Sequence, residues 1–171
     1  VPHSSGFATV TENRGDVQNT GVELALTSQN IQNENFSWSS NLNFAHNKNK
    51  VLELGRSNEP ILSGRTGEGN PSHITRIGQP LGLFYGYVFD GIYRDQTEVQ
   101  AGPAFPGAIP GNMRMKDING DGVINPVQDF DVIGNPHPDF TWGFTNTLTA
   151  FDFDLRVLVT GSMGAERLLT R

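Results

Sequence analysis

Phe140-Thr-Trp-Gly-Phe-Thr-Asn-Thr-Leu-Thr-Ala150 is the stretch whose reading decides the fold. Phe140, Trp142, Phe144, Leu148 and Ala150 fall on one side of an extended chain, with Asn146 the one polar break. Thr141, Gly143, Thr145, Thr147 and Thr149 fall on the other. Successive side chains of a strand point to opposite faces, so this pattern predicts a strand with one apolar face. A second strand follows at once. Phe151, Phe153, Leu155, Val157 and Val159 alternate with Asp152, Asp154, Arg156, Leu158 and Thr160, and the Ala150/Phe151/Asp152 corner has hairpin length. Upstream, Val22 to Gln29 and Phe36 to Phe44 make another pair across the short polar connection Asn30 to Asn35. In the second of these, Phe36, Trp38, Leu42 and Phe44 share a face, interrupted by Ser40, against Ser37, Ser39, Asn41 and Asn43.

Alternation alone does not separate a water-soluble sandwich from a membrane barrel. The polar face is more informative: from Phe36 to Phe44 and from Phe140 to Thr149 it holds only Ser, Asn, Thr and Gly. Soluble sheets place charges on exposed edges, whereas a shielded lumen tolerates neutral hydroxyls and amides. Aromatic residues form two levels. Phe36, Trp38, Phe151 and Phe153 lie beside the short turns, and Phe44, Phe140 and Trp142 lie at the far ends of the strands. That separation is close to a tilted membrane strand of roughly 9 to 11 residues, flanked by interfacial girdles. The expected fold class is all-β: antiparallel strands of a partial transmembrane β-barrel with one long extracellular loop excursion.

Composition sets the outer limits. The 171 residues carry 18 acidic against 12 basic side chains for a net charge of -6, with 20 Gly, 10 Pro and no Cys. No window reaches the roughly 20 apolar residues of a membrane helix, which leaves β-barrels open. The absence of Lys/Arg clusters argues against nucleic acid. Zero cysteines remove disulfides, thiolate zinc sites and thiol nucleophiles. The chain opens on Val1, and its methionines are Met113, Met115 and Met163, so it reads as a piece of something longer.

Between the two strand pairs, Lys48 to Pro138 is rich in Gly, Pro, Asn and Asp and must leave the sheet. The layout is a hairpin over 16–51, a loop region over 52–138 and a hairpin over 139–163. Gly55 to Ser72 is expected to be a mobile loop, Gly82 to Tyr93 an ordered hairpin or short strand, and Asp95 to Gln100 one helical turn.

One motif carries chemistry. Asp117-Ile-Asn-Gly-Asp-Gly-Val-Ile124 matches the first eight positions of a calcium loop. Oxygens of Asp117, Asn119 and Asp121 at alternate positions can converge on one ion, Gly122 permits the sharp turn, and the Val123 carbonyl can add a ligand. The twelfth position is Gln128, with the acid one later at Asp129, and Pro126 opposes an exiting helix. The expectation is a structural calcium loop over 117–129 closed by Asp129, with Asp131 a further candidate; an ion-free Asx-turn loop is the alternative. His3, His46, His73 and His137 lack metal-ligand spacing. Asp90, Asp95 and Glu98 are not marked as a catalytic pair. Asp152, Asp154 and Arg156 suggest ion pairing along one strand face.

Several segments, in order, resemble the carboxy-terminal barrel region of SusC/RagA-type TonB-dependent outer-membrane transporters of Bacteroidetes. They are Gly15-Asp-Val-Gln-Asn-Thr-Gly-Val-Glu-Leu24, Phe36 to Val51, Gly78-Gln-Pro-Leu-Gly-Leu-Phe-Tyr-Gly-Tyr-Val-Phe-Asp-Gly-Ile-Tyr93, Met115 to Ile124 and Val132-Ile-Gly-Asn-Pro-His-Pro-Asp-Phe-Thr-Trp-Gly-Phe144. Asp129 departs from the usual family spacing by one residue. The resemblance implies a plugged barrel of about 22 strands, of which four or five lie here. It also implies a non-enzymatic role in TonB-driven import of oligosaccharides or peptides across the bacterial outer membrane. A SusD-like surface lipoprotein would act as lid, and the TonB complex would be engaged through parts absent from this chain. Two other classes stand beside it: a secreted calcium-stabilised β-sandwich binding carbohydrate through Tyr85, Tyr87 and Tyr93, and a glycoside hydrolase fragment.

Overall fold

The computed structural model describes residues 15–55, 57–126 and 128–169. Its elements run β1 (Gly15–Gln32), β2 (Phe36–Leu54), β3 (Ile61–Ser63), β4 (His73–Thr75), β5 (Leu83–Tyr87), β6 (Phe89–Ile92), α1 (Gln96–Ala101), β7 (Met113–Met115), β8 (Phe130–Gly134), β9 (Phe140–Ala150) and β10 (Phe153–Met163). The large sheet has the order β1-β2-β9-β10, all neighbours antiparallel.

The register explains the alternation. Directly opposed residues share a face. Leu26 faces Leu42, Leu42 faces Phe144 and Phe144 faces Val159, so one apolar row crosses all four strands. Thr27, Asn41, Thr145 and Leu158 make the equivalent row on the opposite face. Trp38, Phe44, Trp142, Leu155 and Val157 belong to the apolar face by the same register. The polar breaks fall in line as well: Ser28 opposes Ser40, which opposes Asn146. Trp38 Nε1 donates to Asn146 Oδ1 at 3.0 Å, and Ser40 Oγ donates to the same oxygen at 2.8 Å. Asn30 Nδ2 donates to Ser40 Oγ at 2.7 Å.

Among the described residues no second sheet covers this apolar face. Leu26 is 57% exposed and Leu155 58%, values that a sandwich core would not leave. β1 and β10 are edges, so the sheet is an open arc of barrel wall rather than a closed barrel. β1 and β2 run well beyond the stretches with hydrophobic alternation. Side-chain amides support the extension: Asn49 Nδ2 donates to Asn19 Oδ1 at 2.8 Å across the pair.

The excursion has its own small core. Val51 and Leu54, at the end of β2, are buried with Ile74, Leu83, Phe84, Tyr93, Ile124 and Phe130. A four-stranded sheet β3-β4-β5-β8 and a two-stranded sheet β6-β7 surround it. Backbone bonds from Val51 N to Gln79 O (2.9 Å) and from Gly78 N to Val51 O (2.8 Å) fasten β2 to the second layer.

Three expectations change or narrow here. The Gly55 to Ser72 loop contains β3, paired with β4 from Ile61↔Thr75 to Ser63↔His73. The aromatic Gly82 to Tyr93 segment takes the short-strand alternative and not the hairpin. Its two strands belong to different sheets, because β5 pairs with β8 while β6 turns to β7 around a bulge between Phe89 and Gly91. Asp152, Asp154 and Arg156 form no ion pair among the described residues; Asp154 and Arg156 lie opposite Thr149 and Thr147. The helical turn is present as α1, and Asp95 caps it by accepting from Glu98 N at 2.9 Å.

Candidate functional site

The 117–129 loop is built from consecutive Asx turns. Asp117 Oδ1 accepts from Gly120 N (2.7 Å) and its Oδ2 from Gly122 N (2.8 Å). Asn119 Oδ1 accepts from Asp121 N (3.1 Å), and Asp121 Oδ1 from Val123 N (2.8 Å). Gly122 has φ 83°, a left-handed backbone that a side chain would strain. Ile124 is buried and pins the loop to the core, whereas Val123 is exposed.

The displaced acid reaches the loop after all. Gln128 N donates to Asn125 Oδ1 (3.0 Å) and Asp129 N to the Asn125 carbonyl (3.0 Å), so the chain turns once before β8. This turn absorbs the extra residue. Asp129 Oδ1 accepts from Ile118 N (2.9 Å) and Oδ2 from Asn125 N (2.8 Å), and the residue has 0% exposure. The hydrogen bond from the Asn125 amide is the largest influence holding its carboxyl below the usual range, and it outweighs desolvation, which acts the other way.

Asp129 is tied to Ile118 N, the residue after Asp117, so the two carboxylates serve one loop. The donor set offered by Asp117, Asn119, Asp121, Asp129 and the Val123 carbonyl is all oxygen, which suits a hard cation such as calcium. The structure gathers these ligands only in part. Among the described residues no three acidic or histidine side chains form a metal-type cluster, and Asp121 is turned to its own Asx turn and to Asn119 Nδ2 (2.8 Å). Asp131 is not part of the loop: it pairs with Arg76 at 2.9 Å.

The remaining candidates have structural roles. Asp90 pairs with Arg114 at 3.0 Å, and Glu98 accepts from Arg94 N. His46 Nδ1 donates to the Asp139 carbonyl, His137 Nε2 to the Leu81 carbonyl at 2.7 Å, and His73 Nδ1 bonds Ser72 Oγ. His3 lies outside the described residues. Tyr93 is buried, its hydroxyl donating to the Pro103 carbonyl at 2.6 Å, so it is a core residue rather than a stacking surface.

Tyr85 and Tyr87, by contrast, line a cavity of about 570 Å³ beside the loop. Phe130, adjacent to Asp129, meets both rings edge-to-face, at 5.4 and 4.5 Å between centroids. Burial is the main cause raising both hydroxyls above the usual tyrosine range. The alternation of β5 around Gly86 hints at this pair in the sequence; the loop that walls the cavity, Thr66 to Asn70, carries no such signal.

An antiparallel arc with one apolar and one hydroxyl-and-amide face, capped by a folded excursion, defines the wall of an outer-membrane β-barrel. Comparison with known proteins gives the particular kind. The chain is 34% identical over 171 residues to TonB-dependent receptor P3 of Formosa agariphila, covering 98% of this chain and 17% of that protein. It is 33% identical to TonB-dependent receptor P26 of the same organism, covering 97% and 17%, and 22% identical to TonB-dependent receptor SusC of Bacteroides thetaiotaomicron, covering 95% and 16%. A solved structure of the RagAB peptide transporter matches its fold with a TM-score of 0.66 at 22% identity, over 96% of this chain and 17% of that one. No family model matches. The chain is thus homologous, over nearly all its length, to a barrel segment of the SusC/RagA-type TonB-dependent receptors, and its place is the bacterial outer membrane. It spans about one sixth of the length of the relatives it matches.

Proposed function

We propose that this chain is the wall and outer cap segment of a TonB-dependent importer that carries oligosaccharides or peptides inward. The observation that supports this best is the apolar face that continues in register across β1-β2-β9-β10, broken by the one polar row at Ser28, Ser40 and Asn146, exposed to one side and backed on β2 and β9 by neutral hydroxyls and amides. In this reading the short turns at Asn33–Asn35 and Phe151–Asp152 are periplasmic and the excursion is extracellular. The partners are a SusD-like surface lipoprotein above the excursion and the TonB complex, reached through other parts of the protein. The role is passage of substrate without covalent chemistry. The test is deletion of the full-length gene followed by growth on defined peptide and glycan mixtures, with uptake of labelled oligomers measured directly. Unchanged uptake of every class counts against import.

The 117–129 loop is proposed to hold a structural calcium ion through Asp117, Asn119, Asp121, Asp129 and the Val123 carbonyl. Support comes from the all-oxygen donor set and from Asp129, whose bonds to Ile118 N and Asn125 N bring the displaced acid back to the loop. Extracellular calcium modules operate at dissociation constants of about 10⁻⁴ to 10⁻³ M, a range that tolerates imperfect ligand spacing. Calcium titration of the folded full-length protein tests it, with heat evolved in the native protein and none in Asp121→Ala.

A further inference from the structure

The cavity beside the calcium-type loop has a composition that selects among ligands. Tyr85 and Tyr87 form an aromatic wall on either side of Gly86, and Phe130 closes the back. Thr66 and Glu68 supply polar groups from the opposing loop. Thr66 Oγ1 is buried with no hydrogen-bond partner among the described residues, an arrangement that costs free energy until something supplies one. Among the described residues Glu68 has no ion-pair partner and the lining includes no Lys, Arg or His; Ile133, Leu168 and Leu169 make up its aliphatic part.

We propose that this cavity is a subsite for a cationic group, an ammonium or guanidinium, on the oligomer that the transporter captures. An acidic ligand would meet an uncompensated carboxylate and gain no cationic partner. A positive group gains the Glu68 carboxylate, the electron-rich faces of two phenol rings and an unsatisfied hydroxyl acceptor in Thr66. A neutral oligomer has the rings but not the charge term. The proposal rests on the import reading and narrows it to substrates with a basic residue, whether a peptide carrying Lys or Arg or a glycan carrying free amino sugars. Glu68 sits in an exposed loop, so the charge can be removed without touching the core.

The experiment uses the full-length transporter in detergent, checked for folding by heat-modifiable migration. The fluorescently labelled probes are tri-lysine, tri-glycine, tri-glutamate, chitotriose and fully deacetylated chitotriose. At least one of the two cationic probes is expected to bind more tightly than its neutral counterpart. The cationic arm that wins identifies the source of the amine. Glu68→Gln should weaken that binding about fivefold while leaving the neutral probe unchanged. Tyr87→Phe should retain binding, since the ring face remains, and Tyr87→Leu should lose it. Equal affinity across charge classes, or a Glu68→Gln protein that binds cations as well as the native one, overturns the proposal. Uptake by intact cells is read separately: binding without uptake upholds the subsite and counts against import, whereas uptake blind to charge and to Glu68 does the reverse.

Discussion

Asp129 has both carboxylate oxygens on backbone amides and no exposed surface, so it organises its loop with or without an ion. Asp121 is different, because its bonds stay within a local Asx turn on the surface. The two positions should therefore separate scaffold from ligand. Asp129→Ala is expected to loosen the loop in the presence of chelator, seen as faster proteolysis between residues 117 and 129. Asp121→Ala should resemble the native protein in chelator and differ only when calcium is added. Equal protease rates for the native protein with and without calcium would mean that the loop is an ion-free turn. The sequence showed Asp117, Asn119 and Asp121 clearly, since their spacing is the signal. It could not show how Asp129 compensates for its displaced position, because that depends on the Asn125 side chain and carbonyl bending the chain back.

At the scale of elements, the join between β2 and β9 is the demanding one. No turn sets its register, yet Ser40 and Asn146 meet directly although 106 residues apart. Their polar row lies on the otherwise apolar face, where lipid offers no alternative hydrogen bonds. Asn146→Leu is expected to cost about 1 kcal/mol, measured by urea unfolding in lipid vesicles, because Trp38 Nε1 and Ser40 Oγ lose their acceptor. Thr147→Val, one residue away on the other face, should fall within about 0.5 kcal/mol of native. Arg at Leu42 should cost roughly 2 to 4 kcal/mol and Arg at Asn41 far less; similar losses of folded yield would argue against a lipid-facing row. Strand identity was legible wherever apolar and polar residues alternated, as from Phe140 to Ala150. The outer halves of β1 and β2 were not, because amide ladders such as Asn19 with Asn49 hold them and leave no hydrophobic period. The partition of Leu83 to Tyr93 between two sheets was hidden for a related reason: β8 and β7, the partners that divide it, are distant in the chain.

For the whole molecule, the open edges of β1 and β10 dominate behaviour in isolation. Unpaired strand edges cannot be left in hydrocarbon, and an uncovered apolar face is not tolerated in water. The 171-residue piece expressed alone should therefore aggregate or require detergent, and sedimentation as a monomer with a cooperative melt in plain buffer would contradict the barrel. Fold class was legible at this scale because two faces of opposite character survive in any register-true sheet. The cavity was not, since its walls come from β5, β8, the loop at Thr66 to Asn70 and Leu168 and Leu169, segments far apart in the chain.

β2 runs as one strand from the turn at Asn35 to the buried Leu54, a rod of about 60 Å at roughly 3.3 Å per residue. Its lower part is hydrogen-bonded into the wall, and its upper end is fastened by Val51 to Gln79 and Gly78. The cap therefore has no flexible stalk on that side. The end of β2 is thus a stiff lever, and a displacement of the excursion at Val51 carries the wall strand with it.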